Sequence, residues 1–497
     1  MRLAGAPARA IGWRLAITVW LVSAVFATTN VVRETYLAIA IGSRASVRVD
    51  PYRGLHPDLF ELPGRGWYIN SNPGASIVAA VPYAVLVRPV IALATTLRPG
   101  IAEPKPPATY DDPRPNRTHF MNEARARGLD VVLGLAALGT ALTVMAPLGA
   151  LSAVLMFLFL RERVGGPRRA LALALVFAFA TPMFFRTAFL NQNAIVAHLV
   201  LAAWVLRVGL NPRSRDVVPS TRSLVGIGAL LGLAIVNDYS AIPLAVMFGL
   251  WILHEGWQRA GWAGALRDGM TYNAGAAATL MLLFGYQWLA FGHPLWPAQR
   301  YMPATEYSVR GWFGFTPPTP GLLWANLFDP RFGLFVFCPL LLLAFAKPLV
   351  RRTPDDGRPS RTESGWILFA FLGLLVFNSA NQFANLQFNT GVRYMVPIVP
   401  LLFLAAVPVL LSLPRVVSGS VVAMSLAISL AVSMTREDVP TALRLVMTEG
   451  PTLPVLTVLR KMQSGYALQV PSMAFWVIAL GLTLCLVLVW RWRPSSR

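Results

Sequence analysis

Asn30-Val31-Val32-Arg33-Glu34 opens a polar segment. It runs through Asp50-Pro51-Tyr52 and His56-Pro57-Asp58 to Tyr68-Ile69-Asn70-Ser71-Asn72-Pro73-Gly74-Ala75-Ser76. Reading residues 33–128 as one long first loop decides the fold, because nearly everything outside it is apolar enough to be membrane helix. A chain that spends most of its length in lipid, yet keeps a first loop rich in carboxylates, Arg, Tyr and Asn, has its chemistry in that loop.

The chain has 497 residues, of which 56% are hydrophobic and only 13% charged. Soluble domains carry about 25% charged residues. Apolar runs lie near 12–32, 130–160, 170–188, 193–208, 223–237, 240–254, 270–291, 333–348, 365–379, 394–412, 417–434 and 473–490. Many approach the roughly 20 residues that cross a bilayer as helix. The expectation is an all-α integral membrane protein of about twelve transmembrane helices. It forms one polytopic domain over 1–497, with an extracytoplasmic loop at 33–128 carrying juxtamembrane helices and no separate soluble domain. The formal charge of +21 is almost all Arg. These arginines sit between apolar runs, where they set topology and meet anionic lipid headgroups. Membrane lipids, not nucleic acid, are the expected partners.

The two cysteines, Cys338 and Cys485, lie inside apolar runs and form no disulfide frame. His56 has no second His or acid at metal-ligand spacing. No metal ligand set is assigned and no cofactor is indicated, while the use of a divalent metal stays open.

The apolar stretch 75–97 contains Pro82 and Arg88-Pro89. Proline interrupts helices, and a mid-run Arg is costly in lipid. If this stretch does not cross, the short-loop arginines at 161–169, 207–222, 259–267, 351–361 and 491–497 all fall on the side of Arg2, Arg9 and Arg14. The segment is therefore expected to be a hairpin or juxtamembrane helix. Both termini are then cytoplasmic, in the cell membrane. Pro99–Asn116 and Arg351–Ser364 read as irregular or flexible loops. No internal repeat is visible, which weakens a secondary-transporter reading.

This topology gathers acids and amides on the outer face. The first loop supplies Glu34, Asp50, Asp58 and Glu61, and later outward turns supply Asn191-Gln192-Asn193 and Asn237-Asp238-Tyr239. Further along come Gln299-Arg300-Tyr301 and a run of amides from Asn378 to Asn389 that leads into Arg393-Tyr394. Amides crowded at helix mouths are expensive to bury without partners and imply a polar site.

In this layout the chain resembles the membrane-embedded glycosyltransferases of the GT-C fold, especially bacterial relatives of protein O-mannosyltransferases and of the aminoarabinose transferases that act on lipid A. Glu34 and Asn72-Pro73-Gly74 stand where those enzymes carry an acidic motif and a Pro-Gly segment. Gly232-Leu233-Ala234 before Asn237-Asp238-Tyr239, and Arg393-Tyr394-Met395-Val396-Pro397 leading to Pro400, are also similar.

The resemblance implies a polyprenyl-phosphate-linked sugar as donor and a glycan, lipid or protein as acceptor. It implies Glu34 or Asp50 as general base, with Glu34 placed at the outer end of the first helix. Arg300, Tyr301, Arg393 and Tyr394 are the candidates for the donor phosphate. Tyr52, His56, Asp58, Asn70, Asn72 and Asp238 are the candidates for substrate contact. Two positions depart from the family's pattern. Asn30 stands where an Asp is expected, and Asp238 stands near the place of a lysine. A lipid or polysaccharide transporter, a non-catalytic membrane assembly protein and another lipid-linked transferase remain the alternatives.

Overall fold

The computed structural model describes residues 8–107, 115–210, 219–346, 361–389, 391–466 and 469–492. Among these, nearly all regular structure is helix, with a single two-stranded sheet. The helices are apolar and the architecture is that of an all-α membrane protein.

The expected apolar runs lie largely in helical segments, but not as twelve spans. Among the described residues six helices are long and apolar enough to cross a membrane, or seven if the bent pair Val439–Glu449 and Pro454–Met462 is one span. Length accounts for the difference. Gln192–Val208, Thr221–Asn237 and Val396–Ser412 are apolar but fall in the class of 10–17 residues. The run at 170–188 is divided between helices Pro167–Phe179 and Met183–Arg186. That at 333–348 holds only Leu334–Phe337 and a 3₁₀ stretch, Pro339–Phe345. Conversely, the runs at 240–254 and 270–291 join in Ile242–Phe291, which bends at Ala260 and at Gly261, whose φ of +61° is left-handed.

Of the two forms expected for residues 75–97, a hairpin or a juxtamembrane helix, the structure has one continuous apolar helix, Gly74–Leu97, which is among the six long enough to cross. The prolines are absorbed by a wider turn at Tyr83–Val87, in which the Arg88 N–H bonds the Tyr83 carbonyl five residues back. Helix Asp130–Arg161 uses the same device, a wide turn at Ala141–Met145 just before Pro147. Such turns accommodate a lost donor without breaking the helix. The loops at Pro99–Asn116 and Arg351–Ser364 fall partly outside the described residues.

The first helix, Ala8–Val25, stops short of the expected 12–32. Thr28 N–H leaves it to donate to the Ala188 carbonyl at 2.8 Å. A second helix, Arg33–Arg44, then begins, so Glu34 lies in the first turn of that helix rather than on the end of the first. A carboxylate there suits the positive end of the helix dipole. The loop then forms a β-hairpin, Leu59–Leu62 with Gly66–Ile69, not anticipated from the sequence.

Two main apolar cores, with two small satellite clusters, result among the described residues. The larger is built from the helices in lipid, around Phe157, Phe177, Trp204, Phe248, Phe337 and Phe403. The smaller underlies the first loop, with Tyr36, Tyr52, Phe60, Tyr68, Tyr286 and Phe291. Where helix Thr221–Asn237 crosses residues 262–291, Gly228 and Gly232 lie against the backbone of Tyr272 and Ala276. Small residues four apart allow this close approach between membrane helices.

Candidate active site

The hairpin builds the first half of the site. Its register pairs Leu59 with Ile69, so the residues just outside the ladder, Asp58 and Asn70, come face to face. Asn70 N–H donates to the Asp58 carbonyl at 3.1 Å. Its side-chain Nδ2 donates to Asp58 Oδ1 at 3.0 Å. Arg33 closes the group. Its Nη1 donates to Asp58 Oδ2 at 2.7 Å and to Asn70 Oδ1 at 3.0 Å, and its Nε donates to Glu34 Oε1 at 3.1 Å. Glu34 is buried and pinned from behind, where its carbonyl accepts from Ser76 Oγ at 2.8 Å.

Helix mouths build the second half. Asn191 caps helix Gln192–Val208 by accepting from Ala194 N–H at 2.9 Å, which leaves Gln192 and Asn193 in its first turn. Asp238 caps the next turn by accepting from Ser240 N–H at 2.8 Å. Its other oxygen accepts from Gln192 Nε2 and, at 3.2 Å, from Asn193 Nδ2. Asn193 Oδ1 in turn accepts from Arg393 Nε at 3.2 Å. The amide run fixes the backbone here. Gln387 Oε1 accepts from the N–H of Arg393 at 3.0 Å and of Tyr394 at 2.9 Å, and Asn378 Nδ2 donates to the Tyr394 carbonyl at 3.1 Å.

The halves are joined. Asn72 Nδ2 donates to the Ile235 carbonyl at 2.8 Å. Gly74 packs so closely on Asn237 that a β-carbon would lie 2.7 Å from the Asn237 backbone. Gln299 Nε2 donates to the Asn70 carbonyl at 3.2 Å. Electrostatics reports the same convergence, since the Arg393 charge acts on both His56 and Asp58. The Tyr394 phenol lies in the fields of Arg393, Asp238, Arg33 and Asp58.

Burial pushes the Asp58 carboxyl up. The Arg33 guanidinium, with His56, Arg393 and the Asn70 amide, more than reverses this and holds it well below the usual carboxylate range. Its side chain is still 34% exposed, against 6% for Glu34. Burial pushes the His56 imidazole down, and Asp58 recovers only part of that. The His56 Nδ1 accepts from Asp58 N–H at 3.0 Å, which favours the unprotonated Nδ1 in the same direction as the shift. Arg33 is saturated by two carboxylates. Among the described residues Arg393 makes no ion pair; its Nε donates to Asn193 and its guanidinium lies 5.2 Å from the Tyr394 ring centroid.

Of the residues singled out from sequence, the fold brings together Glu34, His56, Asp58, Asn70, Asn72, Asp238, Arg393 and Tyr394. It places four outside. Asp50 pairs with exposed Arg48 at 2.9 Å and accepts from Trp67 N–H at 3.2 Å, which ties the hairpin to the preceding turn. Tyr52 is buried against Tyr36, with ring centroids 5.0 Å apart. Arg300 is exposed and lies over the Trp296 ring at 4.2 Å. Tyr301 stacks on Phe291 at 5.1 Å.

Sequence reasoning passed over Arg33 as a site residue, although it sits beside Glu34 at the mouth of the loop and is the hub of the first half. The turn Pro63-Gly64 between two apolar tetrapeptides was the available signal for the hairpin that brings Asp58 to Asn70. Among the described residues no three His, Cys, Asp or Glu side chains form a group that could hold a metal ion.

The arrangement offers a part-exposed ionised carboxylate, an unpaired guanidinium close enough to influence it, and hydroxyl and amide groups around both. Such a site can bind an anionic group and accept a proton from a neighbouring hydroxyl. Comparisons with family models, with curated proteins and with solved structures find no match to this chain.

Proposed function

We propose that this protein is a glycosyltransferase that moves a sugar from a polyprenyl-phosphate donor to an acceptor hydroxyl at the outer face of the cell membrane. The observation that carries this reading is that the charge of Arg393, at a distant helix mouth, acts on Asp58 of the first loop, while Arg393 has no carboxylate partner among the described residues. A lipid-linked sugar needs this pair of functions close together.

Arg393 binds the donor phosphate, and Tyr394 and Asn193 flank it. The acceptor hydroxyl oxygen attacks the anomeric carbon, and the bond from that carbon to the phosphate oxygen breaks. The electron pair leaves on the polyprenyl phosphate, whose added charge Arg393 stabilises. The hydroxyl proton passes to the Asp58 carboxylate. Asp58 takes this role in preference to Glu34, the first choice from sequence, because Glu34 is closed off by burial and by Arg33. Glu34 orients Arg33, and Arg33 orients Asp58. Asp50 stabilises the hairpin.

An outward first loop is supported by the basic start of the first helix, with Arg9 and Arg14. Helix Ala474–Arg491 lies beside it. Arg14 donates to the Trp492 carbonyl and Trp490 Nε1 donates to Thr18 Oγ1 at 3.0 Å, so the basic ends of these two helices share one side. That side is the cytoplasm.

The test is transfer of radiolabelled sugar from polyprenyl-phosphate hexoses and pentoses in proteoliposomes with bacterial glycolipid acceptors. Asp58→Asn should lower turnover by about 10²–10⁴, the usual loss on removing a general base, with donor binding retained. Undiminished transfer by Asp58→Asn and by Arg393→Gln would remove the cluster from the reaction.

A further inference from the structure

Beside the exposed apolar face of helix Gly74–Leu97 stands a second basic group, separate from the cluster above. Helix Arg33–Arg44 packs along helix Gly74–Leu97 so tightly that a β-carbon at Gly42 would lie 2.6 Å from the Ala80 carbonyl oxygen and 2.9 Å from the Tyr83 ring. This crossing brings the end of one helix beside the middle of the other. Arg44 and Arg88 both exert their charge on the phenol of buried Tyr83. Both arginines are exposed, and among the described residues neither forms an ion pair.

Their surroundings are those of a lipid contact. Val81, Val85, Leu86, Val90 and Leu93, on the same helix as Arg88, are 54–68% exposed. An unpaired guanidinium among open aliphatic side chains is unfavourable in hydrocarbon unless it reaches an anion or water. At headgroup depth the anion is the lipid phosphate. Two guanidiniums from different helices can share its oxygens, while the aliphatic face takes the acyl chains.

We propose that Arg44 and Arg88 form a binding site for the phosphate of an anionic phospholipid, seated on the exposed face of helix Gly74–Leu97. The site is independent of the proposed sugar transfer. Its occupant holds that helix flat at the outer headgroup layer, over the first-loop core.

The experiment uses the full-length protein, purified in mild detergent and incubated with an equimolar mixture of phosphatidylglycerol and phosphatidylethanolamine, with native mass spectrometry of the retained lipid. Wild type should retain phosphatidylglycerol preferentially. The Arg44→Gln/Arg88→Gln variant should lose about fivefold of that preference per arginine, or ~25-fold together, as expected for surface cations near anionic lipid. Arg44→Lys/Arg88→Lys should retain most of it and serves as the readout if the Gln pair does not fold. Arg98→Gln, at the exposed end of the same helix, should leave it unchanged. Excess inorganic phosphate should not displace the lipid, and displacement would assign the site to free phosphate instead. Equal retention of phosphatidylglycerol by wild type and the Gln pair, or an equal loss in Arg98→Gln, would overturn the proposal.

Discussion

At the residue scale the cluster is a problem in charge placement. Arg33, Glu34 and Asp58 are brought together, the charge of Arg393 acts on Asp58, and Arg33 is already committed to both carboxylates. Removing one partner from such a network leaves the other uncompensated, which costs more than the pair contributes. The pH dependence follows from Asp58. Its folded-state pKa is depressed below the ordinary value of about 3.9. A group of this kind contributes stability that is complete above its unfolded pKa and is lost as pH falls through the folded value. The contribution is modest because Asp58 is about one-third exposed. Thermal unfolding in detergent should therefore show wild type more stable than Asp58→Asn from pH 5 to pH 8. The gap should narrow only below about pH 4. A gap that closes between pH 5 and pH 7 instead would mean that Asp58 is not held by Arg33.

Individual residue types at this site were legible in the sequence, since amides and acids at helix mouths call for a polar function. Their partners were not. Asp58 finds Asn70 only through the hairpin register, and Arg393 finds Asn193 only through packing of helices some two hundred positions apart in the chain. Glu34 looked like the best-mounted base because the first helix was expected to run through residue 32. The break at Val25 moves it onto a new helix and behind Arg33.

At the scale of elements, helix Gly74–Leu97 and its contact with Asn237 decide how the two halves are held. Gly74→Ala should force the Asn237 backbone away and shift Asp238 with it. Overpacking of this kind costs about 1–3 kcal/mol. The expected result is a lower melting temperature together with weakened donor use. An unchanged melting temperature would show that the contact is soft.

The prolines of this helix pointed to a hairpin or a short juxtamembrane helix because each removes a backbone donor. The structure answers with one wide turn, a local adjustment that periodicity does not reveal. Continuity makes the helix long enough to cross, but exposed Arg88 at its middle favours an interfacial position. Single cysteines in a cysteine-free background test this. Membrane-impermeant reagent added from outside should label Ala102→Cys and not Gly165→Cys. The reverse pattern would mean that residues 74–97 cross the bilayer.

At the scale of the whole molecule, the apolar runs identified an all-α membrane protein but overstated the crossings. Hydropathy marks which residues avoid water, whereas a span also needs length. Helices such as Gln192–Val208 and Thr221–Asn237 are buried among neighbours and end at polar mouths, so their apolar character reflects packing as much as lipid. In the proposed reaction the short helices matter because their ends, not their middles, carry Asn193 and Asp238. The cluster residues share one face with the first loop, while His198 and Ser152 form a separate buried pair between helices.

The central claim is that this face binds the phosphate of a lipid-linked sugar through Arg393. The most direct measurement is the shift in melting temperature of the purified protein on adding polyprenyl phosphate, compared among wild type, Arg393→Gln and Arg300→Gln. A charge-assisted contact is worth about 1.5–3 kcal/mol, so loss of Arg393 should weaken binding by roughly ten- to a hundredfold. Wild type and Arg300→Gln should be stabilised alike, and Arg393→Gln should require far more ligand for the same shift. Equal stabilisation of all three proteins, or loss in Arg300→Gln with Arg393→Gln unaffected, would contradict the account.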